Sequence, residues 1–307
     1  MNAFYPFGNF GVTVYSLINK ARVSYKNRGG DIAATQRKYR KLYGKDINLD
    51  KPETLNEKIL WLKLNDRTPL HTLCADKYTV RKYLSEKFGD NCLIPLLYET
   101  DNPDNISMEN IPDEPCIIKA SHSQGDMLIV RDKKALDLKR LKFEMKIWLK
   151  RNLYYETQEW QYKDCKPRII IEKLLQDRNG RIPNDYKLHF INGKLEFVYC
   201  SVGRETANKR NIYDANWNPL YFSWVEPHKD VTNIRGEEIP APESYEEMKR
   251  IGSEIAKDFP YYVRVDFYDV DGKLYFGEIT FHHGSGFDMF KPVKFDIEFG
   301  RKLNLPI

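Results

Sequence analysis

Cysteine is scarce: five in 307 residues, at Cys74, Cys92, Cys116, Cys165 and Cys200. They are scattered, odd in number, and never form a CxxC pair. That spacing argues against a zinc site or a disulfide framework and predicts a reducing, cytoplasmic setting. No apolar run is long enough to cross a bilayer, and no signal-peptide cleavage pattern occurs. The GxxxxGK[ST] phosphate loop is missing, as are internal repeats, low-complexity tracts and long linkers. No Ser/His/Asp or Cys/His set can be assembled from the six histidines, which argues against a covalent protein nucleophile. Charge is nearly balanced, 49 Lys+Arg against 44 Asp+Glu, a net of +5. That is too little for a dedicated nucleic-acid binder but suits a site for phosphates or acidic substrates.

Apolar residues make up 41% of the chain and charged residues 30%, the balance of a globular protein large enough for two or three lobes. Residues 1–18 are aromatic and lightly apolar. They read as a packed arm, or as a stretch lying on a membrane surface or a partner. Residues 20–43 are basic and helical in character, with Gly44 as a stop. In DKPETLNEKILWLKLND, Thr54 and Glu57 make a capping box and Leu55, Ile59, Leu62 and Trp61 an apolar stripe, so this helix packs rather than acts. Residues 76–88 predict a helix capped by Asp76, and 92–98 a strand leading out of it. Amphipathic helices are expected over 133–152 and 243–258, and a closing helix or arm over 291–307.

Five stretches bear on chemistry. PCIIKASHSQGDMLIV reads as two strands around a loop of small residues, with Lys119 just before it; such loops bring backbone N–H groups to phosphate oxygens, although many are plain hairpins. RIIIEKLL is a buried strand ending in Glu172-Lys173, where an acid can accept from an adenine amino group or simply meet solvent. NDYKLHFIN and KLEFVYCSV form an antiparallel pair about Asn192-Gly193, with Asp185, Lys187 and His189 on one face. Residues 201–217 read as a polar, basic loop carrying Arg204, Lys209 and Arg210, either solvated or a lid over an anionic substrate. Finally, YVRVDFYDVDGKLYFGEITFHHGSG predicts a hairpin turning at Asp269–Gly272. Arg264, Asp266 and Tyr268 share one face, and pairing brings Asp266 near Glu278. Two carboxylates there repel unless a cation lies between them, and hard oxygen ligands suit magnesium; the plain alternative is a hairpin whose charges face water.

The ordered set of these stretches resembles the ATP-grasp superfamily, and more closely its TupA-like family associated with surface polysaccharide gene clusters. The likeness runs over about residues 42–292 and includes KPETLNEKILWLKLNDRTPLHTLCADKYTVRKYL, KASHSQGD, DYKLHFINGK, YDANW and VRVDFYDVDGKLYFGEITFHHGSGF. It implies an α+β, ATP-grasp fold: two α+β lobes clamping ATP, with a helical N-terminal extension. The expected division is 1–70 for the extension, 71–165 for the first lobe and 166–307 for the second. The resemblance assigns Lys77 and Lys119 as nucleotide-binding lysines and Ser121, His122, Ser123, Gln124 and Gly125 as the loop closing over the phosphates. Glu172 becomes the acid near the adenine amino group, with Lys173 and Leu174 offering backbone contacts, and Lys187 a phosphate-contacting cation. Asp266 and Glu278 become metal-binding acids. Thr280 falls where many relatives carry an asparagine ligand, a weaker donor for the third metal contact. Arg264 corresponds to an arginine facing an acyl phosphate.

ATP and Mg2+ are thus the expected cofactors, and a carboxylate–amine ligase the expected enzyme. It would join a sugar acid such as a uronic acid, free or nucleotide-linked, to an amino acid or amine in capsule or cell-surface polysaccharide synthesis. Arg204, Lys209, Arg210, His282, His283 and Ser285 are the candidate substrate residues, with the two histidines holding the acceptor or moving a proton, or merely structural. A sugar kinase on the same fold is the second reading, and a non-catalytic nucleotide-binding partner of an assembly complex the third; the intact set Lys77, Lys119, Lys187, Asp266 and Glu278 speaks against the third. No nucleic-acid partner and no transmembrane segment are expected. A cytoplasmic location is, with peripheral association to membrane-linked glycan machinery as a further expectation.

Overall fold

The computed structural model describes residues 2–206, 208–227 and 234–307. Met1 of the aromatic arm and Ala207 of the expected basic loop lie outside the described residues. The chain divides into two compact units, one of Met1–Ala34, Arg67–Lys87 and Ile94–Leu174, the other of Thr35–Asp66, Phe88–Leu93 and Leu175–Ile307. Against the sequence division at 70 and 165, the first 34 residues group with the first unit and the next 32 with the second.

The first unit is built on four antiparallel strands, β1 (Leu96–Thr100), β2 (Cys116–Ala120), β3 (Met127–Val130) and β4 (Ile169–Lys173), in the order β1-β4-β2-β3. The run Ile169-Ile170-Ile171 is buried outright because β4 has a strand on each side. Ile118, Ile169 and Ile171 pack with Leu141, Met145 and Trp148 of the helix Leu138–Lys150. Each such side chain contributes on the order of 1.5–3 kcal/mol by leaving water. Asp137 caps that helix, accepting from the Arg140 N–H at 2.9 Å. The basic stretch 20–43 is two helices, Gly8–Lys26 and Gly30–Tyr43, interrupted at residues 27–29. Val12 and Tyr15 of the first pack on Phe143 and Ile147, so the arm is packed along one face.

The second unit holds a six-stranded antiparallel sheet of β5 (Asp185–Ile191), β6 (Lys194–Val202), β7 (Lys209–Asp214), β8 (Pro219–Leu220), β10 (Tyr262–Val270) and β11 (Lys273–Thr280), in the order β11-β10-β5-β6-β7-β8. A separate pair joins β9 (Ser223–Val225) to β12 (Met289–Lys291). The helix Tyr245–Ala256 covers β10, β5 and β6 with Met248, Ile251 and Ile255. The helix Leu55–Asn65 begins in the expected capping box, and its Leu55, Ile59 and Leu62 join Phe197, Trp224, Phe290 and Phe299 in one core. Residues 201–217 are not one loop: Lys209 and Arg210 open β7, because Asn211, Ile212 and Tyr213 are buried against β6. The polar character that suggested a solvated loop comes from Asn211, whose amide accepts from the Gly236 N–H at 3.0 Å and donates to the Glu237 carbonyl at 2.5 Å.

The β10–β11 hairpin turns at Asp271 and Gly272, both at positive φ, the backbone that an Asp-Gly pair supplies. Its register slips once, between Asp266 and Phe267: Asp266 faces Glu278, whereas Phe267 faces Phe276. Gly277 is the extra residue of this bulge, and a Cβ there would stand 3.0 Å from the Asp266 carbonyl oxygen. The bulge puts Phe276 and Glu278, two apart in sequence, on opposite faces of the sheet.

Candidate functional site

In the first unit, β2 carries Lys119 and β4 carries Glu172. Their charged ends meet at 2.6 Å, and Arg81 approaches the other Glu172 oxygen at 3.4 Å. Glu172 is thus a buried acid held between two partly buried cations. Lys173 and Leu174 spend their N–H groups on the carbonyls of Pro95 and Pro115, at 3.1 and 3.0 Å. Their N–H groups are thus engaged within the first unit.

The loop 121–126 is fastened from inside. Ser121 donates to Asp76 at 2.7 Å, Ser123 donates to Asp126 at 2.7 Å, and Arg151 holds Asp126 at 2.5 Å. Lys77 donates to the Ser123 carbonyl at 2.5 Å, so its ammonium lies against the loop rather than apart from it. Gln124 and Gly125 are the exposed tip, with Gln124 donating to the Tyr162 hydroxyl at 3.0 Å. His122 is buried, and neither ring nitrogen has a hydrogen-bond partner among the described residues; burial pushes its pKa below the ordinary histidine range.

In the second unit the register lines up Asp266 with Lys187 and with Glu278, Tyr268 with Asp185, and Arg264 with His189 and Thr280. Side chains of one parity therefore converge on one face. Lys187 donates to Asp185 at 2.5 Å and to Asp266 at 2.7 Å. Arg264 grips Asp266 with two N–H groups at 2.7 and 2.8 Å, reaches Glu278 at 2.7 Å and His283 Nδ1 at 3.0 Å. Arg204 closes on Asp185 at 3.6 Å. Between Asp266 and Glu278 lies the guanidinium of Arg264. Asp266 is 1% exposed, so it does not face water as the hairpin's alternative reading had it; Glu278, with a side chain 34% exposed, does. Thr280 donates to Glu278 at 3.2 Å.

Electrostatics follow from burial. Desolvation alone would lower the Lys187 pKa, yet Asp185 and Asp266 outweigh it and raise it. Burial lifts Asp266 above the ordinary carboxylate range against the pull of Arg264 and Lys187. His189 and His283 are pushed down by burial and stay neutral. His283 can then accept from Arg264 through Nδ1 and present Nε2 towards Asp288, 3.3 Å away. His282 is buried beside it. Ser285 meets Lys63, whose ammonium donates to its carbonyl at 2.9 Å and to its hydroxyl at 3.3 Å. Lys209 and Arg210 stand at the start of β7, Arg210 opposite Ser201 in the row that continues to Asp185 and Tyr268.

Arg81, Asp76 and Asp288 escaped the sequence reading. Asp76 was read only as the cap of a helix over 76–88; the helix spans Val80–Phe88, and Asp76 accepts from the N–H groups of Tyr78 and Thr79 in the turn before it through one oxygen while the other holds Ser121. Asp288 follows Gly284 by four residues, and a Cβ on Gly284 would meet its carboxylate at 2.2–2.6 Å. A glycine four residues before an acid was the only signal.

Three carboxylates and a hydroxyl form a hard-oxygen set of the kind magnesium takes. The Oδ1 of Asp185 is a buried acceptor with no partner. Among the described residues no group of three His, Cys, Asp or Glu is arranged to hold a metal ion, so an ion bound by part of this set would take its other ligands from water or phosphate oxygens.

A family model described as TupA-like ATPgrasp matches residues 57–304, most of the chain. Comparison with curated proteins finds no match. Among solved structures, the D-alanine–D-alanine ligase of Bacillus anthracis complexed with ATP aligns at TM-score 0.37 and 15% identity, over 68% of this chain and 53% of that one. The D-alanine–D-alanine ligase of Helicobacter pylori aligns at 0.42 and 17%, over 82% and 70%. The ATP-grasp ligase PsnB, complexed with a phosphomimetic variant of its minimal precursor, Mg and ADP, aligns at 0.41 and 12%, over 74% and 58%. The chain spans about half the length of the first of these structures.

Proposed function

The chain belongs to the TupA-like ATPgrasp family, and from that premise we propose that it is an ATP-dependent carboxylate–amine ligase acting on a sugar acid. The observation that carries this reading is the buried row Asp185–Lys187–Asp266–Arg264–Glu278, in which two cations and three carboxylates are fixed on one sheet face before any substrate arrives. Such preorganised charge is what stabilises a transferring phosphoryl group. ATP is the co-substrate. In the first unit Lys77 and Lys119 would contact its phosphates or base edge, Glu172 its amino group, and the loop from Ser121 to Gly125 its phosphate oxygens.

Asp266, Glu278 and Thr280 would hold magnesium, which when bound neutralises phosphate charge. The rest is the work of the chain's own residues. Lys187, kept charged by its two acids, faces phosphate oxygens. A carboxylate is a poor acyl donor, so its oxygen takes the γ-phosphoryl group and ADP leaves. An amine then attacks the acyl carbon and phosphate departs. Arg264 has four of its five N–H donors committed to Asp266, Glu278 and His283; the remaining Nη1–H is the one that would meet the oxyanion. Arg204, Lys209 and Arg210 would bind an acidic or nucleotide-linked sugar, as in capsule or cell-surface polysaccharide synthesis. His282, His283 and Ser285 would border the amine.

The test follows ATP with the purified protein, magnesium, a panel of uronic acids and a panel of amines, reading products by mass spectrometry. ADP together with a product one water lighter than the two acceptors combined supports the ligase. ADP with a phosphorylated sugar and no need for an amine makes it a kinase instead.

A further inference from the structure

The helix Gly8–Lys26 has two apolar faces, and only one of them is used. Val12, Tyr15 and Val23 turn inward, the first two onto Phe143 and Ile147. The helix is pinned there at both ends: Lys146 donates to Asn9 at 3.1 Å, and Asn27 donates to the Tyr155 carbonyl at 2.7 Å. At 3.6 residues per turn, the opposite side carries Phe10, Val14, Leu17, Ile18, Ala21 and Tyr25 in one stripe. These side chains stand in solvent: Phe10 is 69% exposed, Leu17 61%, Ile18 54% and Tyr25 68%. Single exposed apolar residues are ordinary, but a continuous stripe about 22 Å long, from Phe10 to Tyr25 at 1.5 Å per residue, is not.

Charge says what covers it. Residues 1–30 contain Lys20, Arg22, Lys26 and Arg28 and no aspartate or glutamate at all. Lys20 and Arg22 fall on the two flanks of the stripe and Arg28 at its end, its guanidinium 4.1 Å from the Tyr25 ring centroid. The exposed aromatic and aliphatic face bordered by basic side chains, without one acidic residue, has the chemistry of a helix lying in a bilayer interface, its apolar side among acyl chains and its cations among anionic headgroups. A protein partner's groove would need no such one-sided charge. We propose that the outer face of the Gly8–Lys26 helix docks the protein on an anionic lipid surface, parallel to the membrane and without spanning it.

The test is co-sedimentation of the full chain with vesicles of neutral phosphatidylcholine alone and with 30% phosphatidylglycerol added. Binding is expected to the mixed vesicles and at least tenfold more weakly to the neutral ones, and to fall as salt rises. The double variant Lys20→Gln/Arg22→Gln is expected to weaken partition about fivefold per charge removed. Phe10→Gln/Leu17→Gln/Ile18→Gln should abolish it with the thermal melting profile unchanged, since none of the three is buried. Absence of binding to either vesicle, or binding that ignores both variants, overturns the proposal. So does a concentration-dependent dimer in light scattering that the apolar variant dissolves, for then a second copy covers the stripe.

Discussion

The two units handle charge in opposite ways. In the first, one buried acid, Glu172, serves two cations, Lys119 and Arg81, and Lys77 adds a third positive charge on the neighbouring loop. At Glu172 itself the cations outnumber the acid two to one, while Asp76 and Asp126 stand on the loop beside Lys77 and Arg151. In the second, Asp185, Asp266 and Glu278 are matched by Lys187, Arg264 and Arg204 within one hydrogen-bonded and ion-paired row. A self-compensated row holds its own geometry, and a phosphate or metal ion must enter by sharing existing partners. Under the proposed function the cations around Glu172 would attract phosphate, and the row of the second unit would position it.

That contrast is broken most sharply by removing one acid from each. Asp266→Asn removes one acid that accepts three charge-assisted hydrogen bonds, two from Arg264 and one from Lys187. The expected loss is about 3–5 kcal/mol of stability in urea unfolding. Glu172→Gln removes an acid with one close ion pair, to Lys119 at 2.6 Å, and a looser one, to Arg81 at 3.4 Å, and about 1–2 kcal/mol is expected. Equal losses would mean the second row is no more tightly compensated than the first. Glu278→Gln separates positioning from stability. Its side chain reaches solvent, so the fold should survive, while magnesium-dependent ATP turnover falls about a hundredfold or more. Turnover that persists would remove Glu278 from the metal set.

A lone acid in the second unit sharpens the point. Asp296 accepts from the Asn56 N–H at 2.9 Å and from its side-chain amide at 3.1 Å. No cation is among the causes acting on it, and burial raises its pKa to about 6. Asp266, more deeply buried, has two cations instead. Because the folded chain holds the Asp296 proton more tightly than the unfolded chain does, the stabilisation is fully present below about pH 4 and is lost as pH rises through 6. The span is about 3 kcal/mol at most. Unfolding midpoints measured from pH 4 to pH 7 should therefore fall more steeply for the natural chain than for Asp296→Asn. Parallel slopes would show that Asp296 is ionised throughout.

Much of this was legible in the sequence, for reasons local to particular residues. Thr54 and Glu57 announce their helix because a capping box is a four-residue device. The turns at Asn192-Gly193 and Asp271-Gly272 are equally local, and period-2 alternation put Arg264, Asp266 and Lys187 on their face. The bulge at Gly277 was not legible, although it alone turns Glu278 away from the side of Phe276. The bridge that Arg264 makes between the two acids was not legible either, since Arg264 lies on the same strand as Asp266 and only the side-chain directions bring its fork to Glu278. Residues 209–214 hid as a strand because Lys, Arg and Asn open it, and their partners at Ile234, Gly236 and Glu237 are some 25 residues away.

Arg210 gives the smallest and most selective test of the contrast. It lies on the row Tyr268–Asp185–Ser201–Arg210, beyond the last acid, with its side chain turned to Asn208. Its backbone N–H is already spent on the Ile234 carbonyl at 2.7 Å, so truncating the side chain leaves β7 intact. Nearby, burial pushes the Tyr199 hydroxyl up to about 12 while Arg210 pulls it down, so this guanidinium is felt on the same face as the compensated row. Arg210 has no carboxylate of its own among its hydrogen bonds, unlike Arg264. Under the proposed function it would be a cation left to meet an acidic substrate. Arg210→Ala is therefore expected to raise the KM for a sugar acid about five- to tenfold, as the loss of one charge-assisted contact does, with the KM for ATP nearly unchanged. Equal rises in both would place Arg210 with the attracting cations and erase the division of labour between the two units.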